Sequence, residues 1–153
     1  MRRILFSFLV LFAFVGELSA HEVRPAYLQL RQTGPTRYDV FWKVPAVGDS
    51  MRLSLYVELP PICSALDQPR GSFSGGAYSE QWSINCQGGL SGSTIRINGL
   101  TATLTDVLVR LERLDGFTQV TRLTSSVPSF VVETSRVASR SPGRISSSAS
   151  STF

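Results

Sequence analysis

The chain has 153 residues and a formal net charge of +4, but the excess lies at its ends. Arg2 and Arg3 against Glu17, together with Arg136, Arg140 and Arg144, account for it, while His21 to Thr134 carry ten basic and ten acidic residues. A phosphate-binding footprint needs its basic residues on the folded unit, so nucleic acid is excluded as an expected partner.

In chain order, residues 1–20 read as a secretory signal peptide. Arg2 and Arg3 precede an apolar run from Ile4 to Val15, and Gly16-Glu17-Leu18-Ser19-Ala20 closes on a small residue of the kind signal peptidases accept. The apolar run is shorter than the roughly 20 residues a bilayer crossing needs. Cleavage after Ala20 makes His21 the first residue of an exported, periplasmic or envelope-located chain with no transmembrane helix. The mature part, 133 residues, suffices for one domain with one modest core.

From Ala26 to Glu133 the apolar residues alternate with period two, the pattern of half-buried strands. Leu28 and Leu30 begin it, Thr33-Gly34-Pro35-Thr36 makes a turn, and Tyr38, Val40, Trp42 and Val44 follow. Leu53, Leu55, Val57 and Leu59 form the clearest run, which stops at Pro60-Pro61 because proline donates nothing to a ladder. Pro69 to Ala77, with Gly71, Gly75 and Gly76, reads as a long flexible loop. Trp82 and Ile84 lead into Cys86, and Ile95 alternates with Ile97. Val107–Leu114 and Thr118–Leu123 flank Asp115-Gly116, a hairpin signal, since such residues tolerate positive φ. Phe130 to Val132 make a last strand. Seven or eight short strands without a convincing helix predict an all-β fold, an immunoglobulin-like antiparallel β-sandwich over residues 21–133, with a closed barrel as the alternative. Trp42 and Trp82 are expected to face the core near the cysteines.

Cys63 and Cys86 are the only cysteines. An even count in an exported chain points to one disulfide, Cys63–Cys86. Closing a loop of that length contributes about 3 kcal/mol on chain-entropy arithmetic. The competing zinc reading lacks ligands, because His21 is the sole histidine and structural zinc takes four Cys or His ligands.

No Gly-x-Ser-x-Gly elbow or P-loop occurs, and a Ser-His-Asp arrangement would have to use His21. The carboxylates Asp39, Asp49, Glu58, Asp67 and Glu80 have no spacing that pairs them, so no enzyme is expected. His21 keeps one sharper possibility open. Its free amine and imidazole offer two nitrogens to nickel or copper, with Glu22, another carboxylate or a backbone amide to complete the set. No other cofactor is expected.

Five stretches, His21–Leu28, Tyr38–Pro45, Gly75–Tyr78, Leu100–Val109 and Pro128–Val132, together resemble the extracytoplasmic N-terminal domain of HupE/UreJ family membrane proteins. The likeness covers about residues 20 to 133. It implies a signal peptide, a β-rich outer domain and then a multi-helix membrane domain associated with transport of nickel or a related metal. The implied role is non-enzymatic and accessory: binding, gating or contact with the membrane domain or another envelope protein. The alternative is a free-standing periplasmic metal-binding protein that uses His21.

The resemblance also implies hydrophobic helices bearing His and Asp after Glu133. Instead, residues 135–153 hold eight Ser, three Arg and no Leu, too little apolar surface to order themselves. Residues 134–153 therefore read as a disordered tail. Arg outnumbers Lys 14 to 1, a sign of a GC-rich gene, in which a shifted frame converts Leu, Ile and Val codons to Ser and Arg. The expectation is a family member truncated before its membrane domain.

Overall fold

A computed structural model describes residues 24–48 and 50–134. Among these the strands are β1 (Ala26–Gln32), β2 (Arg37–Val47), β3 (Met51–Arg52), β4 (Tyr56–Glu58), β5 (Cys63–Ala65), β6 (Arg70–Ser74), β7 (Ala77–Cys86), β8 (Thr94–Asn98), β9 (Val107–Glu112), β10 (Thr118–Leu123) and β11 (Ser129–Val131). One 3₁₀ turn spans Leu100–Ala102. Seven of the runs read from the alternation are strands, the Leu53–Leu59 run survives only as β4, and β3, β5 and β6 are additional.

The strands form a sandwich of unequal sheets. The larger has eight strands, ordered β10-β9-β1-β2-β7-β5, with β6 also against β7 and β3 against the end of β2; the smaller is β11-β8-β4. This partition is more uneven than the four and three strands of an immunoglobulin constant domain. Every pairing is antiparallel but one: β1 and β9 run parallel, from Ala26 opposite Val107 to Arg31 opposite Glu112.

Period-two alternation places the core. Ala26, Leu28 and Leu30 of β1, Tyr38, Val40, Trp42 and Val44 of β2, and Val107, Val109 and Leu111 of β9 are all buried on one face of the large sheet. Ile95 and Ile97 of β8, Leu55 and Phe130 meet them from the other side in a single cluster. Burial of these side chains is the main term holding the two layers together. Gln119 is, with Thr105, one of two buried polar residues among those described. Its amide donates to Val131 O at 2.9 Å and accepts from Glu133 N at 3.0 Å, so a side chain from β10 stitches the C-terminal strand of the small sheet to the large one.

Turn chemistry agrees with sequence at two places and corrects it at two others. Thr33 N donates to Arg37 O at 3.0 Å across the β1–β2 turn. Between β9 and β10, Gly116 takes φ +83° and Phe117 N donates to Asp115 Oδ1 at 3.0 Å. Pro69 to Ala77, by contrast, is no flexible loop. Gly75 and Gly76 have φ +58° and +72°, the two positive values of a type I′ turn, and close β6 onto β7 as a hairpin. The run from Leu53 to Leu59 is not one strand either. Leu55 N donates to Leu53 O at 2.8 Å, a three-residue turn that carries the chain from β3 on the large sheet to β4 on the small one. Its inward face survives the break: Leu55 is fully buried, and Leu53, Val57 and Leu59 pack against the core.

Candidate functional site

Cys63 and Cys86 are disulfide-bonded, and they stand directly opposite each other in the β5–β7 ladder. Both sulfurs are thus unavailable as thiolate ligands. Among the described residues no group of three or more His, Cys, Asp or Glu side chains could hold a metal ion. His21 and Glu22, the signal peptide at 1–20 and residues 135–153 of the expected tail lie outside the described residues. No helix among the described residues is long and apolar enough to cross a membrane.

The two tryptophans serve the interior. Trp42 is 1% exposed, and its Nε1 donates to Leu55 O at 3.4 Å. Trp82 is half-buried and packs on the same core from its position opposite Val40.

Where the small sheet ends, an edge cluster covers the inner face of β7. Arg52 Nη2 is 3.3 Å from Glu80 Oε1, and its guanidinium lies 5.1 Å from the Tyr56 ring and 4.6 Å from the Tyr78 ring. Planar guanidinium groups stack on aromatic faces in this way. Tyr78 also meets Phe73, with ring centroids 4.6 Å apart, and its hydroxyl occupies the space a Cβ would need at Gly71. The cluster closes an open margin of the sandwich and joins β3, β4, β6 and β7.

The face with the composition of a binding surface is the outer side of the large sheet, which no other layer covers among the described residues. Register places its side chains in rows across the strands. One row runs Val120, Arg110, Gln29, Phe41, Gln81 and Arg70, and the next runs Arg122, Leu108, Tyr27, Lys43 and Ser79. Tyr27 and Phe41 meet diagonally, with ring centroids 6.2 Å apart. Leu108 and Val120 are exposed, as is Leu104 beyond β9 at 95%.

Most acids on this face are engaged. Asp106 pairs with Arg122, and Glu112 accepts from Arg110 Nε at 2.5 Å. The hydrogen bond and charge of Glu112 raise the Arg110 pKa further above its ordinary value. Asp39 and Asp67, which sequence spacing did not pair, converge on one residue: Asp39 Oδ1 accepts from Ser83 Oγ at 3.1 Å, and Asp67 Oδ1 accepts from Ser83 N at 2.6 Å. Both carboxylates are exposed.

Three depressions follow one another over this surface. The first, about 410 Å³, lies among Pro25, Leu104, Leu108 and Arg122. The second, about 400 Å³, lies among Arg24, Pro25, Tyr27, Phe41, Lys43 and Pro45. The third, about 440 Å³, lies among Arg31, Asp39, Phe41, Asp67, Arg70 and Ser83. Pro25 borders the first two and Phe41 the last two. No protein-family model matches the chain, and no curated protein matches it in sequence.

Proposed function

We propose that residues 21–133 are a non-enzymatic extracytoplasmic accessory domain of a HupE/UreJ-like membrane protein associated with metal transport, and that it works by contact with the membrane domain. Three things support this reading. Residues 1–20 read as an export signal, the cysteines form the disulfide an oxidising compartment permits, and five stretches resemble that family's outer domain. The observation that carries the contact role is the outer face of the large sheet, where half-buried aromatic side chains stand beside exposed aliphatic and basic ones over adjacent depressions. Aromatic and Arg side chains are the residue types enriched where proteins meet.

Co-expression of the chain with a tagged membrane domain from a HupE/UreJ-like protein tests it. The expected result is stoichiometric co-purification in detergent. A chain recovered only in the periplasmic fraction, with none retained on the tagged membrane domain, contradicts the proposal.

A further inference from the structure

Resting on that reading, we infer that the outer face of the large sheet holds an extended acidic segment of the partner polypeptide, seated across the strands in the three adjacent depressions. Charge selects the ligand. Among the described residues Lys43 borders the middle depression and no carboxylate does, while Arg24 beside it donates to Gly75 O at 3.2 Å. Among the described residues neither Lys43 nor Arg70 makes an ion pair, whereas Asp106 and Glu112 are paired with Arg122 and Arg110. Asp39 and Asp67 accept only from the neutral Ser83 and stand with Arg31 and Arg70 in the third depression, so the charge the face leaves unanswered is centred on Lys43, and potentials are complementary across specific interfaces.

Shape selects a chain rather than a flat surface. The depressions extend from Arg122 on β10 to Arg70 on β6, five strand spacings apart in the sheet order. At about 4.8 Å per spacing that is about 24 Å, the reach of about seven extended residues at roughly 3.3 Å each. An extended peptide turns alternate side chains to opposite sides, so an alternating Glu and Val segment presents all its carboxylates on one side, toward Lys43 and Arg70. A membrane would need a convex apolar face, and here the exposed Leu108 and Val120 are separated by Arg110 and Arg122.

Fluorescence anisotropy on the whole chain tests the inference, with a labelled peptide of about seven residues alternating Glu and Val. Its partner probes are the same peptide with Gln for Glu, and vesicles of phosphatidylglycerol. The Glu peptide is expected to bind at least tenfold tighter than the Gln peptide. Rim charges contribute up to about 1 kcal/mol each, or about fivefold. K43E and R70E should therefore each weaken binding about fivefold, and the double variant more than tenfold, while R96E on the small sheet leaves it unchanged. All three positions are exposed, so folding is retained. Equal affinity for both peptides, an unaffected double variant, or binding to vesicles alone overturns the inference. Co-purification with the membrane domain alongside indifference to peptide charge overturns the acidic segment alone. Charge-selective peptide binding by a chain that the membrane domain does not retain upholds the groove and counts against the membrane-domain reading.

Discussion

Trp42→Ala should lower the stability of the domain by about 3–5 kcal/mol, the usual cost of deleting a large aromatic side chain from a core. Trp42 lies at the centre of β2, the strand paired with β1 on one side and β7 on the other, and it is among the largest fully buried side chains. Truncation opens a cavity under the middle of the large sheet. It also strips Leu55 O of the Nε1 donor at the point where the chain crosses between sheets. A domain of this size has about 5–15 kcal/mol in total, so the variant stands near the unfolding threshold. Trp42→Phe retains most of the ring volume and should cost less than half as much. Val120→Ala on the exposed face should stay within about 0.5 kcal/mol. Urea midpoints by near-ultraviolet circular dichroism separate these outcomes; a Trp42→Ala midpoint equal to that of Val120→Ala contradicts the core assignment.

Removing the disulfide should cost about 3 kcal/mol, since the bond closes a loop with a sequence separation of 23. The loss should be local before it is global. β5 is three residues long and mostly exposed, and β6 is exposed throughout, so neither brings enough buried apolar area to hold the edge. Leu66 N, which donates to Ser83 O at 2.8 Å, and the neighbouring β5 amides should exchange with solvent faster after reduction, while β1 and β2 stay protected. Cys86→Ser should be worse than Cys63→Ser, because Cys86 is fully buried and Cys63 is not, and a buried hydroxyl without a partner adds its own penalty. Hydrogen exchange with and without reductant reads both effects. Unchanged β5 exchange on reduction would mean the ladder, not the bond, holds the edge.

The strands that alternate cleanly were legible without coordinates because each has one buried face. Tyr38, Val40, Trp42 and Val44 are the plainest case, and Asp115-Gly116 marked its hairpin through the positive φ that glycine supplies. The Cys63–Cys86 bond followed from compartment and count. β6 was not legible, since Arg70–Ser74 is exposed on both faces and shows no periodicity; only the paired glycines after it hinted at a tight turn. Leu53–Leu59 misled for the opposite reason. Its alternation reports burial between the sheets, and burial continues through a turn that hydrogen bonding does not.

The candidate site was hidden by its dependence on register. Tyr27, Phe41, Lys43, Leu108 and Arg122 are ordinary outward residues in their own strands, and the pairings of β1 with β2, β9 with β10 and, in parallel, β1 with β9 gather them into a surface. The parallel pair in particular joins residues about eighty positions apart in sequence, with nothing local to announce it. Asp39 and Asp67 meet at Ser83 through the pairing of β2 with β7, together with the segment that leads into β6.

Photo-crosslinking in the cell envelope tests the contact role most directly. A benzophenone amino acid placed at Phe41, between the second and third depressions, should crosslink to an integral membrane protein with an acidic extracytoplasmic segment. The same group at Arg96, exposed on the small sheet, should not. Equal crosslinking from both positions, or crosslinks from Arg96 alone, would contradict the assignment of the large sheet's outer face as the surface through which this domain works.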